Sequence, residues 1–221
     1  PQLGGDLDVN GNAIVSASDG DIAINANGTG MVTMTANSVT GDVIPGIMPG
    51  LANFGARSLF VGQTTTGTLS SANDNTAVGY QAMDAVTSGT SNTAIGGRNL
   101  TALTEGGSNT AVGSVAGQDV TDGDDNTMVG FYAGGNISTS SDNVAIGRRA
   151  LYQNQTGDFN TAVGKDSLYG ESGNSHGYNT AVGGNAIKEI TTGDGNIALG
   201  YTAGNNITSG SGNVVIGVAD V

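Results

Sequence analysis

The chain contains no cysteine and no tryptophan, and only 3 of its 221 residues are proline. The missing cysteine excludes disulfide bonds and thiolate metal sites. Aromatic residues make up 5% of the chain, which disfavours a globular core built on aromatic side chains. There is also no Gly-X-Y triplet period, so the chain is not collagen-like.

Positive charge is equally scarce: 6 lysines and arginines stand against 19 aspartates and glutamates, for a net charge of −13. Proteins that bind nucleic acid need a basic face, and this composition offers none. The same acidity disfavours electrostatic binding to anionic membranes. No apolar run approaches the roughly 18 residues that a transmembrane helix needs. We therefore predict no nucleic-acid partner and no membrane insertion.

What the chain has in abundance is glycine, with 39 residues, and a pentapeptide that returns nine times. The pentapeptide reads Asn-Thr-Ala-Val-Gly at residues 75–79, and Ser58 opens a degenerate tenth copy. Successive repeat asparagines are 17 residues apart, with a single step of 19. They are Asn75, Asn92, Asn109, Asn126, Asn143, Asn160, Asn179, Asn196 and Asn213. This period predicts an all-β fold, a parallel β-roll of about ten coils of 17 residues.

Each residue of a repeat can be numbered from its asparagine as position zero. Position one is β-branched and position three is aliphatic in all nine copies. Because side chains alternate along a strand, these two positions share a face, which we interpret as the interior of each coil. Position four is always glycine, and position two is mostly alanine. We interpret this second face as a close contact between subunits, made by Ala77, Ala94, Ala111, Ala145, Ala162, Ala181 and Ala198.

The rest of the chain divides into three segments. Residues 1–44 contain short alternating strands joined by turns such as Asn10-Gly11, which predicts an N-terminal β shaft or attachment segment. Residues 45–57 combine Pro-Gly turns with apolar residues and are interpreted as a connector that caps the first coil. Residues 58–221 are the β-roll repeat domain. Each of its coils is expected to hold two short strands and two turns, with the two extra residues in the loop 170–177.

The repeat asparagines are expected to stack as a ladder of hydrogen-bonded amides along the solenoid axis. Their pentapeptide, followed by an alanine as at Ala82 and Ala116, resembles the head repeat of trimeric autotransporter adhesins (YadA-like) and repeats of bacteriophage tail-fibre proteins. The resemblance covers residues 58–221 and implies a left-handed β-solenoid that packs as a homotrimer. Two features depart from the adhesin pattern: the period of 17 is longer, and position one is mostly threonine where adhesins favour valine.

This resemblance implies a non-enzymatic structural fibre protein of a virion, such as a phage tail or capsid fibre, that attaches to the host surface. The expected partners are two further copies in a homotrimer, other virion or fibre proteins, and a host cell-surface glycan or protein. The expected location is the virion, outside the cell. Two alternatives stay open: the head of a trimeric adhesin on a bacterial surface, and a tailspike that degrades polysaccharide.

The sequence indicates no catalytic residues and no cofactor other than a possible weakly bound Ca²⁺. His176 is the only histidine and is expected to be a surface residue of the insertion loop. Asp122, Asp124 and Asp125 form an oxygen-rich turn that is a candidate for calcium, although a solvated turn is the simpler interpretation. Exposed aromatic residues are candidates for stacking on sugars, or else they cover the corners of the coils. These are Tyr80, Phe131, Tyr132, Tyr152 and Tyr201.

Overall fold

A computed structural model describes residues 51–52, 58–62, 71–171, 173 and 175–218. The chain divides into two units, Pro1–Gly41 and Asp42–Val221, and all the described residues belong to the second. The predicted shaft, residues 1–44, lies outside the described residues. So does most of the predicted connector, residues 45–57.

The described residues form one sheet of 11 strands, in which strands adjacent in sequence are also neighbours in space. β1 pairs antiparallel with β2, and the ten strands from β2 to β11 are all parallel. Their register matches the repeat, so that Thr76 pairs with Thr93 and Ala77 with Ala94. The predicted all-β solenoid is thereby confirmed. The strands are β1 Leu51–Ala52, β2 Leu59–Val61, β3 Thr76–Val78, β4 Thr93–Ile95, β5 Thr110–Val112, β6 Thr127–Val129, β7 Val144–Ile146, β8 Thr161–Val163, β9 Thr180–Val182, β10 Ile197–Leu199 and β11 Val214–Ile216.

Each complete coil in the described part of the chain contains one strand of three residues, and not the two strands expected. The remainder of the coil is turns, because its backbone repeatedly enters the left-handed region. In the coil that starts at Asn143, for example, Arg149 and Leu151 have φ values of 55° and 51°. The next left-handed residue is Phe159, at 58°. Left-handed residues reverse the chain direction and cannot continue a strand.

The assignment of the two strand faces was wrong. Position two, the alanine column, is fully buried inside the single chain from β3 to β10 and partly buried in β11, and positions one and three face outward. The seven alanines expected in a trimer contact therefore belong to the core of the coil itself. They are Ala77, Ala94, Ala111, Ala145, Ala162, Ala181 and Ala198. The physical reason is volume: a coil is thin, and larger buried side chains such as Leu100, Leu103 and Leu151 already fill it.

The glycine of position four does meet a close backbone, but that backbone is the next coil of the same chain. A Cβ atom added to Gly113, for instance, would lie 2.7 Å from the carbonyl oxygen of Gly130. The φ of Gly113 is 127°, which side chains other than hydrogen rarely allow. The glycine column thus keeps successive coils stacked in register.

The predicted asparagine ladder is confirmed. The side-chain oxygen of Asn92 accepts hydrogen bonds from the backbone N–H of Asn109 at 2.9 Å and from its side-chain amide at 3.1 Å. The Asn109 amide also donates to the carbonyl of Gly123 at 2.7 Å. The same pattern continues from Asn75 to Asn213, and every rung before the last is fully buried.

Candidate functional site

The side chains at positions one and three form a continuous outer surface of the parallel sheet, which we call the aliphatic face. None of its residues is charged, and each is at least partly exposed. Ile95 is 44% exposed and Ile146 39%, although both are large and apolar. Position three contributes Val78, Ile95, Val112, Val129, Ile146, Val163, Val182, Leu199 and Ile216. Position one contributes Thr76, Thr93, Thr110, Thr127, Val144, Thr161, Thr180, Ile197 and Val214.

The length of the aliphatic face makes it unusual for a free surface. Nine strands spaced by about 4.8 Å extend it over roughly 40 Å of the solenoid. Isolated apolar side chains are common on protein surfaces, but a row of aliphatic side chains as long as position three generally marks an interface, here flanked by the mostly threonine side chains of position one. The aliphatic face is therefore the first candidate functional surface of the molecule.

The structure brings together three of the five aromatic residues singled out as sugar contacts. Phe131 and Tyr132 meet edge to face, with ring centroids 4.7 Å apart. Tyr132 contacts Tyr152 at 5.5 Å, and Tyr152 contacts Tyr169 at 5.3 Å. Tyr80 and Tyr201 are about 58% and 59% exposed, but they lie three and four coils away from Phe131. The five residues therefore do not form one site.

We call Phe131, Tyr132, Tyr152 and Tyr169 the tyrosine cluster. The charged groups beside it bind to one another. Arg149 donates two hydrogen bonds to the carboxylate of Asp166, at 2.8 and 3.1 Å, and these raise the pKa of the guanidinium. Its guanidinium also lies 5.1 Å from the ring centroid of Tyr169. Partial burial raises the pKa of the Tyr152 hydroxyl. The cluster thus covers and ties together three successive coils, which supports the corner-covering interpretation.

His176 is not the surface residue that was expected, since it is only 1% exposed. It lies three residues before Asn179, at the position where other coils carry glycine, serine or alanine. Its carbonyl accepts the amide of Asn160 at 2.8 Å, and its N–H donates to Asn154 at 3.2 Å. Burial lowers the pKa of the imidazole to about 4, so the ring is neutral near pH 7. Its Nε2 atom has no hydrogen-bond partner among the described residues.

The acidic turn binds neighbouring coils. Asp122 accepts the hydroxyl of Thr104 at 2.9 Å, and Asp124 accepts the backbone N–H of Gly107 at 2.6 Å. Asp125 is exposed in the left-handed backbone region. Within the described residues, no group of three or more His, Asp or Glu side chains is arranged to hold a metal ion. Calcium binding at this turn stays a prediction.

A stacked aromatic pair lies outside the set of residues predicted from the sequence. Phe159 and Tyr178 precede the asparagines of successive coils, and their rings stack with centroids 5.3 Å apart and an interplanar angle of 13°. They are 51% and 66% exposed. Neither residue is among the five aromatic residues predicted as sugar contacts. The sequence does distinguish this pair, because the residue before the repeat asparagine is Asp, Ser or Gly in every other coil.

Comparisons with known proteins identify no relative: no family model, no curated protein and no solved structure matches this chain. Among the described residues, no helix is long and apolar enough to cross a membrane.

Proposed function

We propose that this chain is a non-enzymatic structural and adhesive fibre module that assembles as a homotrimer through its aliphatic face. The observation that carries the proposal is the uncharged column of aliphatic side chains along nine coils, every one of which is partly or largely exposed. Burying such side chains against one another contributes about 25 cal/mol per Å² of apolar area. A face of this length gains enough from burial to hold several chains side by side.

A second copy of the chain is the natural occupant of this face. Its strands have the same spacing along the axis, so parallel copies in register would set each aliphatic residue beside its equivalents. Closed symmetry satisfies all the faces at once, which is how most soluble homo-oligomers assemble. Since the described part of each chain presents one such face, three chains packed around a common axis would leave the other corners of these coils available to partners.

The resemblance of the repeat to phage tail-fibre and adhesin repeats supports an extracellular role. We propose a virion fibre that contacts a glycan or protein on the host surface and joins other virion proteins. The head of a bacterial surface adhesin is the alternative, with the same assembly. A net charge of −13 is consistent with a soluble, exposed rod. A polysaccharide-degrading tailspike is distinguished by incubation with host capsule or lipopolysaccharide, because only an enzyme releases sugars.

The assembly is tested by the mass of the native chain in solution. Light scattering is expected to give three times the 21.7 kDa of one chain. Because the chain has no cysteine, an Ile146→Cys variant carries a single thiol on the aliphatic face. A short bismaleimide is expected to link two chains of this variant into a covalent dimer.

Thr139→Cys is the matched control, since Thr139 is exposed but stands on another part of the coil. It is expected to stay unlinked under the same conditions. A native mass of one chain would rule out the trimer. A trimer in which the Thr139 thiol cross-links and the Ile146 thiol does not would move the contact to a different face.

A further inference from the structure

We propose that the stacked pair Phe159 and Tyr178, together with the open space beside Gly195, is a binding platform for a neutral pyranose unit of a glycan. This inference rests on the proposed adhesive function and names the site and the ligand class for it. It differs from the tyrosine cluster around Tyr152, whose rings and charges are occupied by one another.

The two rings are held in a conformation that their residue types disfavour. Phe159 and Tyr178 have φ values of 58° and 59°, in the left-handed region. In other coils this position holds aspartate, serine or glycine, and the aspartates and serines there, such as Asp74 and Ser91, also have positive φ. A bulky residue with positive φ costs free energy, and buried residues of this fold with positive φ, such as Leu151, offset that cost by packing in the core. Two successive coils carry this cost, and both rings remain largely exposed.

The pair leaves one ring face open along the solenoid. The centroid separation of 5.3 Å is close to the spacing of coils, so the rings stack roughly along the axis. On the far side of Tyr178, the next two coils carry Gly195 and Gly212 in the same column. A Cβ atom at either glycine would meet nothing within 4 Å. A flat ligand therefore has room to continue the stack above Tyr178.

The shape of the site favours a flat ligand over a compact cation. Aromatic sites for quaternary ammonium groups surround the cation with rings set at different angles. Here the rings are nearly parallel, at 13°, and together present a flat surface. The apolar C–H face of a pyranose matches such a surface, and stacking on one ring leaves its hydroxyl groups pointing outward.

The polar groups beside the rings suit sugar hydroxyls. Asp158 comes directly before Phe159, and Asp194 comes directly before Gly195. Each uses its Oδ1 atom to accept a backbone N–H of the preceding coil, at 2.8 Å from Ser141 and 2.7 Å from Gly177. The second oxygen of each carboxylate accepts no hydrogen bond from the described residues, and can accept one from a hydroxyl group.

The charge near the platform excludes acidic sugars and phosphates. From Ser140 to Gly212, the three residues before each repeat asparagine include the carboxylates of Asp142, Asp158 and Asp194 but no lysine or arginine. His176 belongs to the same columns, but it is buried and neutral. An anionic ligand would meet negative charge without compensation, so a neutral glycan is the ligand class that the site accepts.

The test measures binding of neutral tetrasaccharides of glucose, galactose and N-acetylglucosamine to the full chain by saturation-transfer NMR and titration. An acidic galacturonate tetrasaccharide and choline serve as comparison probes. At least one neutral probe is expected to bind, with stacking on Tyr178. Tyr178→Asn is expected to weaken it roughly tenfold or more. Gly195→Asn, which fills the open space without removing a ring, is expected to have the same effect.

Two readouts separate a binding role from a structural one. Asparagine tolerates the left-handed region, so Tyr178→Asn is expected to leave the melting temperature unchanged or raise it. A stack that served only stability would instead lower it. Tyr80→Ala, which removes an exposed ring several coils away, is the control and is expected to bind like the wild type.

The proposal is overturned if no neutral tetrasaccharide binds, if choline or the acidic probe binds in preference, or if both asparagine variants bind normally. These outcomes are independent of assembly. A trimer without glycan binding would contradict only the platform. Glycan binding by a chain with the mass of a monomer would contradict only the proposed trimer.

Discussion

The side-chain amide of each repeat asparagine is the smallest unit that joins one coil to the next. The oxygen of Asn126 accepts the backbone N–H and the side-chain amide of Asn143, both at 3.1 Å. Its own amide donates to Asn109 at 3.0 Å and to the carbonyl of Ser140 at 2.8 Å. Buried polar groups that lose such partners are costly, so the ladder fixes the register of the coils.

Replacing Asn126 with alanine removes these four hydrogen bonds and leaves buried partners without a donor or acceptor. We expect a loss of roughly 4 kcal/mol in the free energy of unfolding, measured by urea denaturation at fixed protein concentration. Asn213→Ala is the control, because this last described rung is only partly buried. It should cost less than about 1 kcal/mol. Equal losses for the two variants would argue against a cooperative ladder.

His176 gives the solenoid a dependence on acid. Its pKa falls from 6.5 to about 4 on folding, because burial disfavours the charged ring. Between these values the unfolded chain binds a proton that the folded chain does not, so stability falls as the pH is lowered from about 6.5 to 4. The shift corresponds to about 3 kcal/mol. Urea midpoints measured across this pH range are the test.

The matched variant is His176→Ser, because Ser140 occupies the equivalent position three residues before Asn143. No other histidine is present, so the variant should lose the pH dependence above the range in which carboxylates titrate. If wild type and variant follow the same curve between pH 5 and pH 6.5, His176 is not the group responsible.

At the scale of a single coil, the core is filled by pairs of side chains in which a small residue faces a large one. Most coils pair an alanine at position two with a large residue at position eight, as Ala145 is paired with Leu151. The coil of Asn126 reverses the pattern, with Met128 and Gly134. A Cβ atom at Gly134 would lie 2.9 Å from the Met128 side chain, and one at Gly117 would lie 2.7 Å from its sulfur. Met128 therefore fills the space that these two glycines leave.

Met128→Ala should leave a cavity and cost about 2–4 kcal/mol, measured as the change in the free energy of unfolding. Adding Gly134→Leu restores the usual pair in this coil and should recover a substantial part of the loss. The backbone allows it, since Gly134 has a φ of 56° and Leu151 has a φ of 51° in the next coil. A double variant less stable than Met128→Ala alone would contradict this account.

The sequence predicts the period and the strand of each coil because both depend on local pattern. The sequence predicts the ladder because asparagines at equivalent positions of stacked coils can hydrogen-bond to one another. Alternation shows that Thr110 and Val112 share a face, but it does not show which face is inside. The size of the side chains suggested the wrong one, since a thin coil prefers Ala111. A glycine-rich loop favours an exposed histidine, but the register of His176, three residues before Asn179, places it in a buried column.

At the scale of the whole molecule, we propose that the aliphatic face holds the chains of the homotrimer together. Ile146→Lys places a charge in the middle of this face, where burial would require costly desolvation. We expect the native mass to fall from that of a trimer to that of one chain, with an unchanged circular dichroism spectrum. Thr139→Lys adds the same charge at an exposed position elsewhere on the coil and should leave the mass unaltered. A trimer that survives Ile146→Lys would place the contact on another face.

The stacking of coils also determines how the solenoid responds to tension. Hydrogen bonds such as that from the Thr76 N–H to the Asn92 carbonyl, at 2.8 Å, run along the axis, so an axial pull loads them directly. One coil adds about 4.8 Å to the solenoid, yet its 17 residues reach roughly 58 Å when extended. Each coil that detaches would release about 50 Å of chain, and the work done in breaking its hydrogen bonds would absorb part of the applied load. Because the coils have nearly equal lengths, single-molecule stretching of the solenoid is expected to show regular extension steps, one for each coil that detaches.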